Sequence, residues 1–297
     1  MNRRALIGSL GALLFSAGAA IGISRLAAHQ PGAAGRRRVV SLTPAITETV
    51  LALGAGGQLV GVSDYCKLPP ELTLPRLGSS LTPQLEQIAG LRPSLVLSDG
   101  SAGAKSKELS AVGQTEVLPW LTLAEVTTSI RRLGELLEQA PAGETLAQKL
   151  QLGLSKPAPA GAPRVLLLLS YDPDRPAELW FIRRNSLHGA ALAAAGAENA
   201  VAEDVAGLPR LSVEELIRLD PDQVMMIPAP GASRESRQKM LSAFNQLTPL
   251  RAVKESRVGV LTSATQSVGP SILNLVSAVA AMMLKMSGPR PNGGFVE

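Results

Sequence analysis

The chain has 297 residues, a formal net charge of +5, 45% apolar content, two histidines and one cysteine. The apolar share supports a real core in one large α/β unit or two domains, while a single cysteine excludes an internal disulfide framework and two histidines exclude a zinc cluster. The positive charge is local: Arg3, Arg4, Arg25, Arg36, Arg37 and Arg38 are the only charged residues before Val39, and without these six the balance is 23 basic against 24 acidic residues, a net of −1. A body this close to neutral, with no basic stripe, is not a nucleic-acid binder.

Arg3 and Arg4 precede an uncharged stretch rich in Ala, Leu and Gly over residues 5–23. A positive segment followed by an apolar one is the order of a secretory signal. Asn2-Arg3-Arg4-Ala5-Leu6-Ile7 fits part of a twin-arginine signal. Two outcomes remain open: cleavage after Ala19 or near Ala28, or retention as an anchor, since these residues at about 1.5 Å each make about 28 Å, a bilayer core's thickness. Both put the body outside the cytoplasm, in the periplasm or its equivalent. Residues 30–38 then read as a polar linker.

From Val39 onward, short apolar runs alternate with helical patterns, which predicts an α/β fold with mainly parallel sheets. The first half reads as strand 39–42, helix 44–53 stopped by Gly54, strand 59–62, helix 83–91, strand 95–98, helix 105–112 and strand 116–118. Thr122 and Glu125 have capping-box spacing for a helix ending at 139. Pro141 opens another helix, to 154 or 155, and SKPAPAGAP (155–163) reads as a linker. The second half reads as strand 165–169, helices 186–195 and 213–219, strand 224–227, helix 234–244, strand 258–261 and helix 271–286. The last helix is apolar because it is buried, and residues 288–297 are expected to fray.

An internal repeat is the most informative feature. Glu86, Leu91, Pro93 and Val96 in LEQIAGLRPSLVL match Glu214, Leu219, Pro221 and Val224 in VEELIRLDPDQVM, each pair 128 positions apart. Leu and Val recur because each helix packs on its own sheet, and Pro recurs because it ends the helix before the strand. Packing gives no reason for the glutamates, which open their helices near the positive end of the macrodipole.

Four segments carry a family resemblance: RVVSLTPAITETVLALGAGGQLVGVSDYCKLP (38–69), LEQIAGLRPSLVL, NSLHGAALAAAGAENAV (185–201) and SVEELIRLDPDQV (212–224). In this order they resemble periplasmic substrate-binding proteins of the helical-backbone type, which serve ABC importers of cobalamin, haem and ferric siderophores. The resemblance implies two α/β lobes, 39–140 and 164–287, joined by a single crossing helix at 141–155, with the linker running to 163 and the ligand cleft between lobes. It implies a monomeric receptor with an ABC permease of the inner membrane as partner. In such a pair, Glu86 and Glu214 dock on basic pockets of the permease. The corresponding activity is capture and delivery of a corrinoid or related iron chelate, not catalysis. The protein needs no cofactor of its own, because any Co or Fe arrives inside the ligand.

Ligands in α/β sheets meet the loops beyond the carboxyl ends of the strands. Here these are Thr43-Pro44, Asp64-Tyr65-Cys66, Asp99-Gly100, Trp120, Ser170-Tyr171-Asp172 and residues 262–266. Tyr65, Trp120, Tyr171, Trp180 and Phe181 are five of the seven aromatics after Val39, a bias that suits a large flat ligand. The alternative for Trp180 and Phe181 is sealing the second lobe. Arg183, Arg184 and Arg210 are candidates for a ligand's anionic groups, against a solvated face as the alternative. Tyr65 could ligate haem iron, His188 reads as a helix-surface residue, and Cys66 as a small buried one. No bare metal site is expected. Gly100 to Ser106 lacks the spacing of a phosphate loop, and no G-x-S-x-G occurs, which leaves an enzyme without support. A tethered sensor or scaffold of the same fold is the remaining alternative.

Overall fold

Pro44 and Gly54 bound the first helix for opposite reasons. Proline loses nothing where a helical N–H has no partner, and Gly54 sits at φ +75°, where a side chain would be strained. The computed structural model of the chain describes residues 37–100, 105–169, 171–172, 175, 178–207, 209–262, 268–288 and 293–297. The export signal, Ser170 and all but the first residue of 262–266 lie outside the described residues.

The first lobe runs β1 (Val39–Ser41), α1 (Pro44–Ala52), β2 (Leu59–Val62), α2 (Leu85–Gly90), β3 (Leu95–Asp99), α3 (Ser106–Val112) and β4 (Thr115–Leu118). Its sheet has the order β2-β1-β3-β4, every pair parallel. Val39, Val40, Leu95, Val96 and Leu97 are fully buried, as continuous apolar strands covered on both faces should be.

Two helices follow, α4 (Leu123–Leu136) and α5 (Ala140–Leu154). The Thr122–Glu125 capping box forms in both directions: Thr122 Oγ1 accepts from Glu125 N at 3.2 Å, and Glu125 Oε2 from Thr122 N at 2.8 Å. α5 spans both cores. Ala142 and Leu146 pack on the first lobe's Leu133, Leu136 and Leu137, while Ala147, Leu150 and Leu154 join Val165, Leu167 and Leu192 of the second.

The second lobe contains β5 (Arg164–Leu169), β6 (Leu179–Trp180), α6 (Leu187–Ala194), β7 (Glu198–Asn199), β8 (Arg210–Leu211), α7 (Val213–Leu219) and β9 (Gln223–Ile227). It continues with α8 (Arg234–Phe244), α9 (Arg251–Lys254), β10 (Val258–Val260), α10 (Leu273–Ser287) and β11 (Phe295–Val296). Its sheet order is β11-β10-β9-β5-β7, again parallel, with β6 and β8 as a separate antiparallel pair. The segment Pro270–Ser287 is long and apolar enough to cross a membrane by composition. In the fold it lays Leu275, Val279, Met282 and Met286 into the second core.

The tail corrects the sequence reading. Residues 295–296 do not fray: they add an edge strand to β10, fixed by Glu297 N donating to Val260 O at 3.1 Å and by the Lys285–Glu297 ion pair. Phe295 covers part of the core, which offsets the entropy of ordering the terminus.

The 128-residue repeat is a repeat of structure. β3 and β9 have the same length and start 128 positions apart, and each pairs in the same register: Val39 with Leu95, Val165 with Gln223. Arg92 (φ 45°) and Asp220 (φ 39°) both take the left-handed conformation that ends their helices. An arginine at the base of each first strand caps those ends. Arg38 donates from Nε and Nη2 to Leu91 O at 3.0 and 2.7 Å, and Arg164 from Nη2 to Leu219 O at 2.9 Å.

Candidate functional site at the seam between the lobes

Hydrogen bonds among the described residues tie the lobes together. Trp120 Nε1 donates to Val268 O at 2.9 Å, Leu187 N to Leu121 O at 2.7 Å, and Ser271 N to Glu48 Oε1 at 2.6 Å. Trp120 follows β4 and Val268 follows β10, so the carboxyl ends of both sheets open on one seam. Trp120 packs against both cores and its indole N–H is already committed, which leaves its ring as what it has to offer a ligand.

The first lobe presents two features there. At the start of α1, Thr43 is only 4% exposed, its side chain makes no capping bond, and Oγ1 has no partner among the described residues. Pro44 carries no N–H, so Ala45 and Ile46 supply the helix's spare donors beside that hydroxyl. Beyond β2, the turn Ser63–Cys66, closed by Cys66 N donating to Ser63 O at 3.2 Å, displays Tyr65 at 74% exposure. A buried chain of polar groups holds the turn from beneath: Cys66 Sγ lies 3.0 Å from Thr47 Oγ1 and 3.1 Å from Ser63 Oγ, and Thr47 Oγ1 donates to Ser41 Oγ at 2.8 Å. Cys66 is thus a small buried residue. Asp64 is already engaged, its Oδ1 accepting Gly78 N at 3.1 Å while its own N–H donates to Gly78 O at 2.8 Å. Asp99 ends β3 half-buried, and Gly100 beside it is exposed with open space where a side chain would stand.

The second lobe departs further from the expectation. Tyr171 is not on a ligand face: it is 7% exposed, with its ring edge-on to Phe244 at 5.2 Å, and burial pushes its phenol pKa up. Phe181 is core as well. Trp180 is half-buried on β6 with the Arg210 guanidinium 6.0 Å over its ring, because Trp180 and Arg210 are directly opposed in the β6–β8 pair. Arg210 also reaches Glu178 at 3.7 Å. Arg183 donates to Val205 O at 3.1 Å and Arg184 pairs with Asp204 at 2.9 Å. These arginines are therefore partnered within their own lobe. His188, read from sequence as a helix-surface residue, is buried at 6% exposure, because α6 packs against α4, α5 and α10.

Glu86 and Glu214 both occupy the second position of their helices and are exposed. In α7 the capping work falls to Glu215, whose carboxyl is held below its ordinary pKa by hydrogen bonds from Ser212, so Glu214 is spared it. Neither Glu86 nor Glu214 has an ion-pair or hydrogen-bond partner among the described residues.

Residues 39–265 match the model of the family described as periplasmic binding protein. The chain belongs to that family. Relatives include the vitamin B12-binding protein of Salmonella typhimurium (strain LT2), 28% identical over 204 residues, covering 65% of this chain and 73% of the relative. An uncharacterized ABC transporter substrate-binding lipoprotein of Bacillus subtilis is 26% identical over 258 residues, covering 82% and 79%. Among solved structures, the periplasmic haem-binding protein of Vibrio cholerae superposes with a TM-score of 0.70 at 22% identity, covering 83% of this chain and 98% of that one. A periplasmic haem-binding protein of Pseudomonas aeruginosa gives 0.68 at 26% identity, covering 82% and 91%. These relatives are binding proteins, and this family member is a substrate-binding protein of an ABC importer rather than an enzyme.

Two residues of this binding protein escaped the sequence reading: Glu48 ties α1 to the start of the last helix of the other lobe, and Arg76 braces the Tyr65 turn. The position of Thr43 after a strand puts it among the ligand-facing loops, but does not reveal its buried hydroxyl, which has no partner among the described residues. Glu48 lies within the quoted family segment, but nothing in its spacing distinguishes it. Arg76 stands in a loop without a motif. Among the described residues no three His, Cys, Asp or Glu side chains gather as a metal site.

Proposed function

We propose that the protein captures a corrinoid outside the cytoplasm and delivers it to an ABC permease. The observation that carries this reading is Tyr65, an exposed phenol on a braced turn at the seam, in a chain otherwise poor in aromatics. A ring so displayed stacks on a flat macrocycle. The spare donors at the start of α1, Thr43 Oγ1 among them, suit the macrocycle's carbonyl or anionic substituents. The Trp120 ring adds a second apolar surface, Gly100 gives close approach, and Asp99 is the acceptor at that edge. From the second lobe, Trp180, Arg183 and Arg210 take part by exchanging internal partners for ligand.

The vitamin B12-binding relatives support the corrinoid. A second reading rests on the same residue: the Tyr65 phenolate ligates haem iron, as the haem-binding structural neighbours make worth testing. The arginine-flanked apolar segment at the N-terminus supports export, and the protein works as a monomer. Glu86 and Glu214, unpaired and structurally equivalent, seat the loaded receptor on basic pockets of the permease.

Equilibrium dialysis of cyanocobalamin and of haemin against the wild type and Tyr65→Ala tests the reading. The expected result is retention of one of the two by the wild type and a loss of about tenfold or more in affinity in the variant. Equal retention by wild type and variant overturns it.

A further inference from the structure

Arg76 lies in the segment between β2 and α2 that carries no recognised motif. Its backbone forms a parallel bridge to Val62, with Val62 N donating to Pro75 O and Leu77 N to Val62 O, both at 3.0 Å. That bridge places Arg76 beside the end of β2, just where the chain turns. From there its Nη1 donates to Ser63 O at 3.0 Å and to Cys66 O at 2.6 Å. These are the carbonyls of the first and last residues of the turn that displays Tyr65. Two residues further along, Gly78 exchanges hydrogen bonds with Asp64 inside the same turn. Gly78 sits at φ +78°, and a Cβ there would collide with Thr82 O, so this second brace has its own fixed geometry.

We propose that Arg76 is a positioning residue for ligand capture, its guanidinium bridging Ser63 and Cys66 carbonyls so that Tyr65 stands preorganised at the seam. The inference rests on Tyr65 as the ligand contact. An exposed aromatic on a loose turn must be ordered when ligand binds, and each ordered side chain or loop lowers affinity. A charged donor shared by two carbonyls removes that cost before the ligand arrives. Both bonds leave the same nitrogen, whose two N–H groups are fixed in the guanidinium plane and so point at the two carbonyls, whereas a lysine ammonium rotates on a flexible stem.

The chain contains two tyrosines, Tyr65 on the turn and Tyr171 in the second core, which gives the test an internal control. Protein labelled with 3-fluorotyrosine yields two fluorine resonances, assigned with Tyr65→Phe. Arg76→Ala is expected to shift or broaden the Tyr65 line and leave the Tyr171 line in place. In the same variant, affinity for cyanocobalamin or haemin, whichever the wild type retains, is expected to fall about three- to tenfold. Arg76→Lys is expected to recover part of that loss. An unmoved Tyr65 line overturns the proposal, as does a moved line with affinity unchanged while Tyr65→Ala weakens binding. Simultaneous change in both tyrosine lines also counts against it, since that marks general loosening rather than a local brace. If Tyr65→Ala itself leaves affinity intact, the ligand reading beneath the proposal fails, whatever Arg76 does.

Discussion

The helix that joins the lobes is held by a contact that admits no side chain. Gly134 of α4 and Gly143 of α5 meet backbone to backbone: a Cβ on Gly143 would lie 3.0 Å from Gly134 Cα and 3.2 Å from Ile130 O. A Cβ on Gly134 would lie 3.1 Å from both Gly143 Cα and Gln139 O. Gly143→Ala therefore sets two effects against each other. Alanine favours a helix interior by about 1 kcal/mol over glycine. Overpacking a tight contact costs about 1–3 kcal/mol, and here the obstructing atoms are main chain, which cannot rotate away. The steric effect wins, and a net loss of about 1 kcal/mol is expected from urea unfolding at constant m. Gly90→Ala in α2 isolates the propensity effect, because nothing lies within 4 Å of the new methyl group. It should gain about 0.5–1 kcal/mol. The reasoning is refuted if Gly143→Ala is as stable as the wild type or more so while Gly90→Ala gains as expected.

Charge reversal of both Glu86 and Glu214 should leave ligand affinity unchanged and abolish stimulation of the permease's ATPase, read in proteoliposomes; loss of ligand binding would count against the docking assignment. Arg164→Ala should cost about 1–2 kcal/mol, a partly exposed charged donor's share, by removing the donor from Leu219 O, whereas the more exposed Arg38→Ala costs less. Equal effects in thermal unfolding would contradict that ranking. Burial raises the Tyr171 phenol pKa above its ordinary 10.0, so the stability of the neutral phenol is complete below that pH and is lost as pH rises through the raised value. Tyr171→Phe should flatten this alkaline fall, and an unchanged slope would contradict it.

Periodicity and punctuation made the sheets and helices legible. Val213–Leu219 and Arg234–Phe244 have the bounds the sequence indicates, and α1 ends at Ala52, one residue short of the expected end at 53. The strands that escaped, β6, β7, β8 and β11, are two residues long, too short for any alternation to register. The repeat is legible because its Leu, Pro and Val do the same work in both lobes, packing the helix, ending it and forming the strand; the left-handed turn at Arg92 and Asp220 is shared in structure but not in residue type. Sequence position at a strand end did not separate Tyr65 from Tyr171. Both follow strands, but Tyr65 sits on a two-residue turn tip and Tyr171 folds back onto Phe244, a tertiary contact across 73 positions. The internal partners of the arginines were hidden for a related reason: Val205, Asp204 and Glu178 come from loops whose paths the sequence does not reveal.

The most direct test of a receptor for a corrinoid or iron chelate is titration of the purified protein with cyanocobalamin, haemin and a ferric siderophore. Visible absorption reports the ligand, and the fluorescence of Trp120 and Trp180 reports the seam and the second lobe. The account predicts saturable, one-to-one spectral change and quenching with one of the three, cyanocobalamin first. No response to any of them would contradict it.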